Sequence, residues 1–458
     1  MTAAPAPGNK KNAPISYRRI FALAWPASVA SSVTPLLGAV DVWALAHSAR
    51  PLDVAAIGLG SVIFSLAYWS FGFIRMSVAG LTAQAAGAED ETETRAALVR
   101  GAAIGGAIGA AIVLLQFPIG YFAFRALQVG SDASVDTFAA AETYFAIRIW
   151  GAPFVLASYA AMGWFSARER TDYLMIVSVA ITLLNIVLDY LFVVQFNWGA
   201  AGVAAGTLIA EAFGFFACLL FIALILNKHG GVKTHWRPDQ FWTPEKIRRT
   251  LYVNRDIFIR TLLLAFCFAW FVQRSSAYGD VALAANQTLL QLFLFTGLAL
   301  DGTAIAAETL VGQAMGARNR MDGRARYDTA VRRTFELALI AAVLFTLLYW
   351  LAGDALLALL TPEGTLREAA ERFMPWVIIS PLIVVIGFQL DGIFIGATRA
   401  KEMRDSMIVS TGIFLPASLW AGAQFGNHGL WAAFSLYFVL RAVTLLFYMP
   451  RLKTSFTH

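Results

Sequence analysis

Cysteine, histidine and charge are all scarce in this sequence, and each scarcity excludes something. There are two cysteines, Cys218 and Cys267, and both sit inside apolar runs. A disulfide framework and a cysteine metal site are therefore not expected. The five histidines, His47, His229, His235, His428 and His458, fall at loops, span edges or the end of the chain. No histidine chemistry is expected within a membrane, and an integral-membrane enzyme would lack its ligands or base. No G-x-x-x-x-G-K-[ST] loop occurs, nor any stretch polar enough to form a nucleotide-binding domain, so primary pumping by this chain is not expected. Charged residues make up only 14% of 458, against 59% hydrophobic. An ordinary soluble protein of that length carries nearly twice that charge, about 25%.

What fills the chain instead is a series of apolar runs of 18 or more residues, the signature of helices that cross a bilayer. Spans are placed near 20–46, 54–84, 97–126, 137–165, 173–196, 199–227, 252–276, 281–312, 328–352, 373–398, 405–423 and 427–450. The basic residues test this count. With both ends cytoplasmic, only Arg50, Arg125, Arg274, Arg367 and Arg372 fall on outer loops and edges. Another five, Arg75, Arg148, Arg255, Arg260 and Arg441, fall within spans, and the rest of the 35 Lys and Arg collect on the cytoplasmic side. That asymmetry follows the positive-inside rule, and a missed helix would scramble it. The formal charge of +6 is thus explained by topology and needs no nucleic-acid partner. The first nineteen residues, polar and basic, read as a cytoplasmic tail rather than a signal peptide.

The chain also repeats itself. "QAAGA" at Gln84 returns as "QAMGA" at Gln313, 229 residues on; "DVA" at Asp53 returns at Asp280, and "MIVS" at Met175 returns at Met407. Short matches of this kind arise by chance one at a time, but three nearly in register indicate duplication. The expected architecture is all-α and membrane-integral: twelve transmembrane helices in two six-helix lobes related by a pseudo-two-fold axis along the membrane normal, with a cavity between them. The expected layout is a cytoplasmic tail at 1–19, a first lobe at 20–227, a cytoplasmic linker at 228–251, a second lobe at 252–450 and a C-terminal tail at 451–458.

Within the first lobe, polar residues share a depth. Counting 1.5 Å per residue from the outer end of each span places Asp41, Tyr144, Asn185, Asp189 and Thr207 roughly 9–17 Å below the outer surface. Two carboxylates at one level must find partners or take up protons. Burial beside a second acid raises a carboxyl pKa, so Asp41 reads as a proton-binding residue tuned by Asp189. Arg148 and Glu211, slightly deeper, are placed to neutralise each other. Pro26 removes a backbone hydrogen bond from the first span and permits a bend there. In the second lobe Arg260, Asp301 and Asp391 form a charged set nearer the cytoplasm, read as structural ion pairs in preference to a substrate site.

Several long segments resemble one family. They are "AAIGLGSVIFSLAYWSFGFIRMSVAGLTAQAAGA" from Ala55, "ERTDYLMIVSVAITLLNIVLDYLFVV" from Glu169, "RDIFIRTLLL" from Arg255, "AAETLVGQAMGA" from Ala306 and "LDGIFIGATRAKEMR" from Leu390. The sequence resembles the multidrug and toxic compound extrusion (MATE) transporters, and within them the DinF-like branch, over all twelve spans. That resemblance implies alternating access and export of organic cations or amphiphiles against inward flow of protons, or of sodium. It assigns cation coupling to Asp41, matches Asn185, Asp189, Tyr144 and Thr207 to the coupling and binding set, and makes Pro26 a hinge. It implies no cofactor beyond the coupling ion, with sodium at Asp41, Asn185 and Asp189 as the alternative, and a place in the lipid of a bacterial inner membrane; nothing in the sequence demands more than a monomer. A flippase for lipid-linked precursors is the other reading; it calls for several basic residues facing the cavity, and only Arg148 and Arg441 lie near mid-membrane.

Overall fold

The architecture comes from a computed structural model describing residues 14–46, 51–128, 134–228, 230–231, 234, 237–361 and 364–456, with side chains excluded at 34–46, 51–52, 238 and 240. Every regular element among them is a helix. The spanning helices are α1 (Tyr17–Ala46), α2 (Asp53–Gly87), α3 (Glu91–Leu114), α4 (Val135–Ala167), α5 (Thr171–Gln195), α6 (Gly199–Lys228), α7 (Pro244–Tyr278), α8 (Asp280–Gly316), α9 (Gly323–Leu360) and α10 (Thr365–Gly396). The last stretch, Ala400–Thr454, is two spans joined without a loop; Gly426, at φ 59° and ψ −140°, breaks it into α11 and α12. With α1 this makes twelve helices of spanning length among the described residues, and the break falls on a glycine because a backbone at that φ is disfavoured for other residues.

Local chemistry sets the ends. Asp90 caps α3, its Oδ1 accepting from the Glu93 amide at 2.9 Å, and Ser134 caps α4 the same way through the Thr137 amide at 3.2 Å. The third span is not one helix. It stops at Leu115 and resumes over Gln116–Gln128, where Pro118 has no amide to continue the ladder.

Ile15 and Phe456, near the two limits of the described residues, lie on one face, beside the start of α9. Arg333 donates to the Ile15 carbonyl, and the Phe456 ring lies 5.2 Å from that of Tyr327. Helix burial separates inner from outer elements. About two-thirds of the apolar window of α10 is buried in protein (67%) against 17% for α9, so α10 packs centrally and α9 is left to lipid.

The two-lobe symmetry appears in contacts between backbones. A Cβ on Gly163 would strike the Arg75 carbonyl in the first lobe, and one on Gly392 would strike the Ala304 carbonyl in the second. Adding 229 to each number of the first pair gives the second. Ala83 and Gly312, related by the same shift, meet each other, which puts them beside the pseudo-two-fold axis.

Candidate functional site

Three first-lobe residues grouped by depth in the sequence are brought together. Asn185 and Asp189, one turn apart on α5, are fully buried, and Thr207 on the facing α6 is nearly so. Asn185 Nδ2 donates to Thr207 Oγ1 at 3.2 Å, and that hydroxyl donates to the Val203 carbonyl at 2.8 Å. Gly206 makes room for the acid: a Cβ there would stand 2.7 Å from Asp189 Oδ1. Sequence reading passed over Gly206, although its place next to Thr207 was the available signal. Directly after Asp189, α5 loosens into a π-helical turn over Tyr190–Gln195, a distortion frequent at functional positions.

Tyr144 is buried on α4, its ring lying against the backbone of Gly60 on α2. Arg148, one turn further, donates from Nε to the Tyr144 hydroxyl at 3.0 Å and pairs through Nη2 with Glu211 of α6 at 2.9 Å. Its guanidinium also lies 5.0 Å from the Phe64 ring and 5.6 Å from the Tyr68 ring, within cation–π range. The helix turns into a short 3₁₀ segment, Ile149–Gly151, just past Arg148, and Gly151 abuts the Glu211 carboxylate. The expected neutralisation of Arg148 by Glu211 is therefore present.

Pro26 is buried in α1, which passes through it as one helix. Asp41 lies outside the residues whose side chains are described.

In the second lobe Asp391 accepts from Arg260 and forms an ion pair with Arg441. Asp301 accepts from Ser31 of α1 at 3.1 Å, joining the lobes. Two partners escaped the sequence reading. Arg441, noted for its mid-membrane depth but not for a mate, is the second guanidinium beside Asp391. Glu308, buried on α8, lies 3.6 Å from Arg75 of α2 and forms an ion pair between lobes.

The matrix of carboxylate, amide and hydroxyl groups on α5 and α6 can hold a proton or a small hard cation. Comparison with known proteins decides the family. The MatE family model matches twice, over residues 26–191 and 257–420, one match in each lobe. The chain belongs to the MatE family, the MATE transporters. It is a membrane transporter and not an enzyme. DNA damage-inducible protein F of Escherichia coli (strain K12) is 36% identical over 434 residues, covering 94% of this chain and 91% of that one, which places this MATE protein in the DinF-like branch. The multidrug export protein MepA of Staphylococcus aureus is 19% identical over 90% of this chain and 89% of its own. A solved structure described as the outward-facing conformation of a multidrug resistance MATE transporter superposes with a TM-score of 0.82 at 17% identity, covering all of both chains. That likeness confirms the all-helical two-lobe fold.

Proposed function

We propose that this MATE transporter exports cationic or amphipathic organic compounds from the cytoplasm by alternating access, driven by protons entering in exchange. The observation that carries this reading is the buried Asn185–Asp189–Thr207 cluster. Asp189 is a carboxylate fully withdrawn from water at the depth counted for Asp41, where ionisable groups are rare and mark ion or substrate pathways. Asp41 is the primary proton carrier, Asp189 tunes it, and Tyr144 and Thr207 line the same level. Outside, proton binding releases the compound; inside, proton loss restores attraction for a cation. Pro26 is the point at which α1 bends between the two states. Support comes from the family and from relatives named for multidrug export.

Sodium is the second reading, because Asn185, Asp189 and Thr207 offer oxygen donors of the kind a hard cation prefers. The flippase reading loses ground on geometry: Arg441 and Arg260 face Asp391, and Arg148 faces Glu211, leaving these basic groups engaged with carboxylates. We further propose a monomer in a bacterial inner membrane, both termini cytoplasmic, with lobes at 20–227 and 252–450.

The test is transport of a fluorescent organic cation in proteoliposomes under an imposed proton gradient and then a sodium gradient, comparing the native chain with Asp41→Asn. Proton-driven movement abolished by the substitution supports the proposal. Movement driven by sodium alone changes the coupling ion. No movement under either gradient, with folded protein, rejects the export reading.

A further inference from the structure

The repeated pentapeptides are more than a trace of duplication, because they meet. On the face that carries Ile15 and Phe456, Gln84 Nε2 donates to the Gly396 carbonyl at 3.1 Å, and Gln313 Nε2 donates to the Ala167 carbonyl at 3.2 Å. The first bond reaches from α2 to the last residue of α10, and the second from α8 to the last residue of α4. Both cross between lobes, and the 229-residue shift converts one into the other. Each glutamine thus satisfies a helix C-terminal carbonyl that its own helix leaves without a partner.

The glycines of the same motifs let this happen. A Cβ on Gly87 would fall on the Gln313 carbonyl, and one on Gly316 would fall on the Gln84 carbonyl, so the backbones approach as no side-chain-bearing residue allows. Thr309 adds a bond to the Ser166 carbonyl at 3.0 Å; at its symmetry position, Gly80 sits directly against the Ile395 carbonyl.

We propose that Gln84 and Gln313 are the paired gate residues of the transport cycle, each clasping a helix end of the opposite lobe and releasing together when the protein opens on this face. The opening itself rests on the alternating-access reading above. The chemistry suits a gate that must reopen. An amide-to-carbonyl bond exchanges with water at a small net cost. The two sides are unequal. Gln84 Nε2 also reaches Thr398 Oγ1 at 3.0 Å, and its Oε1 accepts from Arg249 Nη2 at 2.9 Å. Gln313 is the weaker clasp.

The experiment is a distance measurement that needs neither substrate nor coupling ion, so it fails or succeeds apart from the proposed function. In the full chain carrying Cys218→Ala and Cys267→Ala, spin labels are attached through Asn227→Cys and Ala325→Cys, exposed positions on α6 of one lobe and α9 of the other. Electron–electron distance distributions are recorded in lipid nanodiscs for the native gate, Gln313→Ala, Gln84→Ala and the double variant. The expected result is a longer-distance population whose ratio to the closed one rises about fivefold for Gln313→Ala, the factor that one net hydrogen bond represents. Gln84→Ala gives a larger rise and the double variant the largest. Should Gln313→Ala fail to fold, Gln313→Glu retains the volume but presents a carboxylate that cannot donate, and the same rise is expected. Distributions identical to the native one in folded variants overturn the proposal, as does a lowered melting temperature with no change in distance.

Discussion

Arg148 Nη2 and Glu211 Oε1 lie 2.9 Å apart across the interior of the first lobe, with both side chains largely withdrawn from solvent. Removing one partner of such a pair leaves a charge with no counterpart and costs about 3–5 kcal/mol. Arg148→Met is therefore expected to lower thermal stability in detergent sharply, and Glu211→Leu to do the same. The double variant should recover most of the loss, since replacing both members of a buried pair by apolar groups is often neutral. A thermal-melting double-mutant cycle measures this; additive losses would mean that the two charges do not depend on each other.

Asp391 makes a sharper case, because one carboxylate serves two guanidiniums. Asp391→Asn is expected to destabilise the second lobe by more than Asp256→Asn does. Asp256 also has two arginine partners, at 2.9 Å and 2.8 Å, but one of them, Arg255, is 54% exposed and can turn to water. Comparison of melting temperatures, with expression level as a second readout, checks the order. The reverse order would show that Arg260 and Arg441 find other acceptors.

Gly206 separates crowding of the site from general helix effects. Gly206→Ala places a methyl group 2.7 Å from Asp189 Oδ1, whereas Gly58→Ala meets nothing within 4 Å. Transport is expected to fall at least tenfold for Gly206→Ala, the effect of about 1.4 kcal/mol, with folding retained. Gly58→Ala should transport as the native chain does and be slightly more stable, since alanine favours a helix over glycine by about 1 kcal/mol. Equal transport by both would argue that the Asp189 carboxylate needs no clearance.

How much of this was legible before the structure depends on which physical rule was available. A fixed rise per residue turns sequence position into depth, so Asn185 with Thr207, and Arg148 with Glu211, could be grouped across helices by counting alone. The duplication was legible from the pentapeptides, but their meeting was not. Counting gives depth but not which faces of two distant helices meet, and that is why Gln84 and Gln313 read as an echo instead of a contact. Glu308 went unremarked because it lies only four residues inside the expected end of its span, where a charge needs no partner; its partner, Arg75, belongs to the other lobe. Arg441 was seen as an intramembrane charge without its mate, since nothing local links α12 to Asp391 on α10. The break at Leu115 was foreshadowed by Pro118, but a proline within an apolar run reads equally as a tolerated kink.

The central claim is that binding of an organic cation and binding of a proton exclude each other at the acids of the first lobe. The most direct measurement is proton release when the purified protein in weakly buffered detergent solution is mixed with a transported cation. The account predicts protons appearing in proportion to cation bound for the native chain, and none for a folded Asp41→Asn/Asp189→Asn variant. Cation binding with no proton release from the native protein, or release that survives in the double variant, would contradict it.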